Sequence, residues 1–165
     1  MISKIEIERK FLLKSIPKIK PYESINIDQY YLKNKSGIWE RVRKMEYSSG
    51  IKYIHTIKKS ISKIENLEYE KEVSRDEYVE FKSKCFSSQD SKFIKKIRHI
   101  FPDGDLYWEV DEFDNGYSLI IAEIEIPNKS FKLKIPDFIK DVNLLEVSGL
   151  KQFSNKNLSL DINNK

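Results

Sequence analysis

Seven separate stretches of this chain place charged or polar side chains at every second position, with an apolar or aromatic residue between most of them. They are Glu6, Glu8 and Lys10 in EIERK, Arg41 and Arg43 in ERVRK, and Thr56 and Lys58 in HTIKK. Glu68, Glu70 and Glu72 follow in EYEKE, then Lys96 and Arg98 in KKIRH, Glu109 and Asp111 in WEVDEF, and Glu123 and Glu125 in AEIEIP. Residues two apart share one face of a β-strand. The period is therefore that of strands, each with one charged side. An eighth run, INIDQYYL, breaks the pattern and offers Gln29 as its inward polar group.

One such strand is explained by an ordinary antiparallel sheet with a wet face. Seven are not, because the charges come in blocks of one sign. Arginine is also the scarcer base in this Lys-rich chain, yet Arg41, Arg43 and Arg98 all fall on the charged faces. Its planar fork suits bidentate binding of phosphate or carboxylate, which an idle solvated face does not need. The intervening Ile5, Ile7, Phe11, Val42, Ile57, Tyr69, Ile97, Val110 and Ile124 supply a second face, expected to pack against helices. If eight strands close into a barrel, the charged face becomes a lumen. That lumen gathers nine carboxylates and six bases from the stretches above. Grouped carboxylates bind hard divalent cations such as Mg²⁺ or Mn²⁺, and grouped Arg and Lys bind phosphate oxygens. Together they fit a phosphate chain held with its metals, and phosphoryl transfer needs little beyond positioning and charge neutralisation.

Glycines in polar clusters punctuate the runs: Gly37 in NKSGIW, Gly50 in YSSGIK, Gly104 in FPDGDL and Gly116 in FDNGYS. They predict tight connections and a largely antiparallel order. The strands are expected over 5–13, 26–34, 38–46, 51–60, 66–74, 92–101, 105–113 and 119–127. SRDEYVEFKSKCF reads differently: Ser74 and Glu77 have capping-box spacing, and Tyr78, Phe81, Cys85 and Phe86 form one helical stripe. Cys85 is expected to be a buried structural thiol. IPDFIKDV suggests a short helix, GLKQFSNKNL a terminal helix, and DINNK a polar, frayed tail. The fold class expected is α+β, mostly β, a closed eight-stranded antiparallel barrel with a few flanking helices. Residues 1–158 are read as one tunnel domain and 159–165 as a tail.

At 165 residues, 34% of them charged, the net charge is only +4. A nucleic-acid partner is not expected on that balance, and a lumen rich in acids would repel a continuous backbone. One cysteine excludes a disulfide framework, and no apolar run reaches membrane-spanning length. A cytoplasmic protein without membrane association, monomeric or homodimeric, is the expectation.

EIERKFLL resembles the Glu-x-Glu-x-Lys signature of the CYTH superfamily, the triphosphate tunnel metalloenzymes. The likeness continues in order through IDQYYL, ERVR, HTIKK, EYEKEV, KKIRHIF, WEVDEF, LIIAEIEIP and EVSGLKQFSNKNL, nearly the whole chain. It is nearest to small bacterial inorganic triphosphatases, and looser to class IV adenylate cyclases and thiamine triphosphatases. The resemblance implies phosphate binding by Lys10, Arg41, Arg43, Lys58, Lys96 and Arg98, with Lys151 able to swing over the tunnel mouth. It implies Mg²⁺ or Mn²⁺ held by Glu6, Glu8, Asp111, Glu123 and Glu125, with Glu6 and Glu8 nearest the attacking water. Glu68, Glu70, Glu72 and Glu109 are tunnel acids expected to pair with the bases. Tyr30 and Phe153 depart from the family pattern, where Gly and Tyr are common, and the acidic strand lacks its usual preceding Arg.

The expected activity is metal-dependent hydrolysis of inorganic tripolyphosphate or a related small triphosphate or polyphosphate. Cyclisation of ATP, hydrolysis of thiamine triphosphate, or non-catalytic binding of polyphosphate or nucleotide on the same fold are the alternatives. His55 and His99 fall on the outward face. Trp39 and Trp108 are expected in the core, although an aromatic at the mouth could stack on a ring.

Overall fold

In the computed structural model, which describes residues 2–114, 116 and 118–162, the seven alternating stretches and INIDQYYL are all strands. They are β1 (Ile2–Leu13), β2 (Glu23–Lys33), β3 (Trp39–Tyr47), β4 (Gly50–Ser60), β5 (Glu65–Glu72), β6 (Ser91–Asp103), β7 (Leu106–Asp114) and β8 (Ile120–Glu125). Every pairing is antiparallel, in the order β6-β2-β3-β4-β5-β1-β8-β7, and β7 pairs back onto β6 to close the barrel. Strand β1 joins the two halves. Its residues Ile2–Ile7 pair with β5, and Glu8–Leu13 pair with β8 on the other side.

Helix α1 (Arg75–Phe86) starts at the expected capping box: Glu77 N–H donates to the Ser74 hydroxyl, and Ser74 N–H donates to the Glu77 carboxylate. Its buried stripe, Tyr78 and Cys85, packs with Tyr30 and Val42 of the barrel's outer face. The Cys85 thiol is free and fully buried, and burial pushes its pKa up to about 12. IPDFIKDV forms the short helix α2 (Asp137–Lys140). Around it Ile139 and Val142 cover a second outer core of Phe11, Leu13, Phe101, Trp108, Val110, Ala122 and Ile124. Elsewhere the outer face is bare, contrary to the expectation that helices cover it. Ile5 is 61% and Ile97 38% exposed, because the chain has too few helical residues to wrap eight strands.

Two short strands were not legible in the sequence. Strand β9 (Asn143–Glu146) pairs with β1 at Phe11–Leu13, and β10 (Leu160–Asp161) pairs with β6 at Lys92 and Phe93. GLKQFSNKNL is no single helix but a 3-10 turn (Lys151–Phe153) followed by α3 (Asn155–Leu158), capped by Ser154. Of the tail DINNK, Asp161 and Ile162 pack against β6 and the α1 cluster. Its last three residues, and Asn115 and Tyr117 beside the Gly116 turn, lie outside the described residues. No described helix is long and apolar enough to cross a membrane.

The segment that carries the 3-10 turn and α3 crosses one end of the barrel as a strap. Val147 N–H donates to the Lys10 carbonyl at 2.8 Å, and Phe153 and Leu158 join Ile94, Phe113 and Ile121 in an apolar cluster at that end. The strap turns at Gly149, whose φ is +71°. A Cβ there would stand 2.9 Å from the Lys63 carbonyl oxygen, in the β4–β5 connection. Gly104 also has positive φ, +61°, but nothing lies near its missing Cβ. Gly149→Ala should therefore lower unfolding free energy by about 1–3 kcal/mol and more than Gly104→Ala, for which backbone strain alone predicts about 1–2 kcal/mol. Denaturant titration of the two variants side by side checks the order.

Candidate active site

Cross-strand register places the charges before any side-chain detail does. Lys10 faces Glu123 across β1–β8, Glu123 faces Glu109 across β8–β7, and Asp111 faces Arg98 across β7–β6. On the other side, Arg41 faces Thr56, Thr56 faces Glu70, and Lys58 faces Glu68. All of these lie on the inner face. The cavity they surround measures about 1460 Å³ and is lined from Tyr47 and Tyr107 near one end to Trp39, Lys63 and Lys151 near the other.

The driest part of the network does not line that cavity. Asp111 is fully buried, and the Lys96 side chain is 2% exposed. Lys96 Nζ donates to Asp111 Oδ2 at 2.5 Å, while Arg98 Nε and Nη2 donate to the two Asp111 oxygens at 2.7 and 2.8 Å. Burial alone would raise the Asp111 pKa, but Arg98 and Lys96 outweigh it and hold the carboxyl below its ordinary value. Lys96 moves down to about 8, because burial and the adjacent Arg98 cation disfavour its charge more than Asp111 and Glu123 favour it. Arg98, so fixed, reaches toward the cavity and also meets Glu109 and, at 3.4 Å, Glu123.

Strand β1 supplies the acids of the cavity wall. Lys10 Nζ sits 2.9 Å from Glu123 and 3.5 Å from Glu8. Lys58 Nζ sits 2.5 Å from Glu6, 3.9 Å from Glu8 and 3.8 Å from Glu68. Glu8 is thus near two ammoniums yet hydrogen-bonded closely to neither. Burial, reinforced by the Glu123 charge, pushes its pKa up to about 7 despite Lys58 and Lys10. Glu123 moves the opposite way: burial opposes its charge, but Lys10, Arg98 and Lys96 hold it well below the usual range.

Strand β3 supplies the fork donors. Arg43 Nη2 donates to Glu70 at 2.7 Å, and Arg41 lies 3.6 Å from Glu68. The Nε of each guanidinium is buried with no hydrogen-bond partner. Burial and the neighbouring Arg41 charge lower the Arg43 pKa to about 10, still a cation at neutral pH. A buried donor left unmatched costs about 1–3 kcal/mol, and two such donors on one wall are an arrangement that an anion would complete.

Of the phosphate-binding candidates, Lys10, Arg41, Arg43, Lys58, Arg98 and Lys151 line the cavity, and Lys96 lies behind its wall. Of the metal candidates, Glu6, Glu8, Glu123 and Glu125 line it. Asp111 gives both oxygens to Lys96 and Arg98, and Glu125 stands apart, exposed and paired with Lys4 at 2.9 Å. Glu68, Glu70, Glu72 and Glu109 also line it, with Glu72 at an exposed edge. Among the described residues no three acids stand grouped as a ready metal-ligand set. Lys10 and Lys58 bridge them instead. The donor chemistry nonetheless suits a hard divalent ion.

Gln29 is inward and buried, donating to the Tyr31 hydroxyl at 2.7 Å. His55 and His99 face outward onto Glu40 and Ser24. Trp108 is core, whereas Trp39 lines the cavity. Asn155 carried no signal in the sequence: its carbonyl accepts from Lys96 Nζ at 2.9 Å, and its amide lies 3.5 Å from Glu123. Only the strap's path makes it part of the network.

No protein-family model matches the chain. It is 33% identical over 159 residues to an inorganic triphosphatase of Acetivibrio thermocellus, an alignment covering 93% of this chain and 92% of that one. The crystal structure of the inorganic triphosphatase NE1496 superposes with a TM-score of 0.58 at 23% identity, covering 93% and 97% of the two chains. A candidate adenylyl cyclase from Hippeastrum with a dominant triphosphatase activity superposes at 0.52 and 17% identity, covering 74% and 80%. These two likenesses establish the barrel. Identity of one residue in three, sustained over nearly the full length of both chains, goes further: this chain belongs to the triphosphate tunnel metalloenzymes, the CYTH superfamily.

Proposed function

We propose that this protein hydrolyses inorganic tripolyphosphate to diphosphate and phosphate inside the barrel, with Mg²⁺ or Mn²⁺ as cofactor. The observation that carries the reading is the pair of buried guanidiniums, Arg41 and Arg43, with unmatched N–H donors in one cavity with the Glu6, Glu8 and Glu123 carboxylates. A site for a phosphate chain needs such forks, and a site for its metal needs such oxygens. The identity of the Acetivibrio thermocellus relative supports the same reaction.

Arg41, Arg43, Lys10 and Lys58 bind and align the chain. Arg98, held from behind by Asp111, neutralises charge where its guanidinium reaches the cavity. Water attacks the terminal phosphorus in line, its oxygen forms the new P–O bond, and the bridging P–O bond breaks with its electrons leaving on diphosphate. Glu8, which has no ammonium nearer than 3.5 Å, holds the proton that the water gives up. Glu6, Glu8 and Glu123 are the residues that would hold the divalent ion, which when bound neutralises phosphate oxygens and acidifies water.

Phosphate release from tripolyphosphate, ATP and thiamine triphosphate should be fastest with tripolyphosphate. It should require Mg²⁺ or Mn²⁺, stop with chelator, and fall by about 10²-fold or more in Glu8→Gln. Metal-independent release, full activity in Glu8→Gln, or cyclic AMP from ATP without phosphate release from tripolyphosphate would each sink it. Asp111→Asn should act on the frame as well as on activity. It leaves Arg98 and Lys96 buried against each other, so unfolding free energy should drop by about 3–5 kcal/mol, seen as a lower denaturant midpoint.

A further inference from the structure

The strap carries a side chain that the proposed reaction leaves without a role. Asn155, the first residue of α3, lines the cavity and stands between a base and an acid of the tunnel. Its side-chain carbonyl accepts from Lys96 Nζ at 2.9 Å, and its amide nitrogen lies 3.5 Å from Glu123 Oε1. These neighbours fix which way the amide points, because an ammonium only donates and a carboxylate only accepts. Lys10 Nζ meets the same Glu123 oxygen at 2.9 Å, and Arg98 meets the other at 3.4 Å. Asn155 thus adds a neutral donor to a carboxylate otherwise held by cations.

A side chain with a full charge does not suit this place. A carboxylate would repel Glu123 and draw Lys96 away from Asp111, and an ammonium would repel Lys96. An amide offers opposite polarity at its two ends with no net charge. Local structure delivers it there. Ser154 caps α3 by accepting from Asn157 N–H at 3.2 Å, and the Ser159 hydroxyl donates to the Asn155 backbone carbonyl at 2.6 Å. Two residues earlier, the Phe153 carbonyl accepts from Lys10 Nζ at 3.3 Å. The backbone is held on both sides of Asn155, which leaves its amide a short reach to the wall.

We propose that Asn155 is a positioning residue for the reaction: it ties Glu123, a carboxylate of the divalent-ion site, to Lys96 behind the wall, and so sets the direction in which Glu123 presents its oxygens to the ion. The inference rests on the metal-dependent reading above. Among the described residues Asn155 has no hydrogen bond to Arg41 or Arg43, whose guanidiniums align the phosphate chain. Its replacement therefore acts on the ion and on turnover, and leaves the grip on the chain in place. Groups that orient a metal's ligands change metal affinity or activity by about 10–100-fold when removed.

Calorimetric titration of the substrate-free full chain with Mn²⁺, together with steady-state hydrolysis of tripolyphosphate at saturating Mn²⁺, tests it. Asn155→Leu keeps the volume and removes both polar ends, and Asn155→Ala, which cannot clash, serves should the leucine variant not fold. Asn157→Leu is the control: the Asn157 amide donates to the Lys151 carbonyl at 2.7 Å, within the strap. Both Asn155 variants should bind Mn²⁺ about tenfold more weakly and lose about tenfold in kcat, with KM within about twofold. Asn157→Leu should stay within about twofold of wild type in all three. An unchanged thermal midpoint shows that the fold is intact. Equal losses in Asn157→Leu would make the effect one of strap seating, unchanged Mn²⁺ binding and kcat in the Asn155 variants would make the amide mere packing, and a raised KM with kcat unchanged would put Asn155 on the substrate; each overturns the positioning role alone. Wild type that takes up no Mn²⁺ and hydrolyses tripolyphosphate without it overturns the metal-dependent reading, and this one with it.

Discussion

Closing the sheet turns every second residue of eight strands inward, so each charge that is buried in the wall away from the cavity must find an opposite charge or stay costly. The rest of the molecule answers to that constraint. Asp111 is the limiting case: it is fully buried, and only the three donors of Lys96 and Arg98 hold its carboxyl ionised. A buried pair of this kind is weak evidence for net stability, because desolvation cancels much of the attraction. Its use here is geometric. Two parallel bonds donated to one carboxylate leave the Arg98 guanidinium a single orientation, which points Nη1 at Glu109 and brings Nη2 within 3.4 Å of Glu123 as well.

Matching is deliberately incomplete one layer nearer the cavity. Arg41 and Arg43 carry buried N–H donors with no acceptor, and Glu8 has ammoniums near it but none at hydrogen-bond distance. Each shortfall costs free energy that a bound anion and its cation would recover. Lysine could have supplied the charge on β3 without the orphaned donors, since its ammonium rotates to whatever acceptor is near. Arginine cannot, and the rigid fork that creates the deficit also sets where a phosphate must sit. Stability and recognition thus draw on the same side chains with opposite sign.

How much of this was legible before the fold follows from what alternation encodes. Period two gives the face of a residue and nothing about its depth. The inward placement of Glu6, Glu8, Lys10, Arg41, Arg43, Lys58 and Glu123 was therefore readable, as were the eight strands and the capping box of α1. That Lys96 and Asp111 lie behind the wall was not, because it depends on cross-strand register and on what packs above them. The outer face failed for another reason. Ile5 and Ile97 have the apolar character of covered positions, but coverage is set by how many helices the chain can spare. Asn155 and Lys156 gave no pattern at all, since a polar residue in a short helix looks the same whether it faces solvent or a tunnel.

The strap resolves what alternation could not, and it explains why the barrel alone does not make the site. Phe153 and Leu158 close one end with apolar contacts, the Phe153 carbonyl accepts from Lys10 Nζ at 3.3 Å, and Asn155 reaches Lys96 and Glu123. Three of the tunnel's charges are thus held in part from outside the eight strands. The hold depends on a tight turn at Gly149, with Val147 and Ser148 anchored on the Lys10 backbone. A strap fastened to the same lysine that bridges Glu8 and Glu123 cannot shift without disturbing the acids on which the chemistry depends. Access to the tunnel and the electrostatics inside it are therefore one coupled property of residues 147–158 and β1.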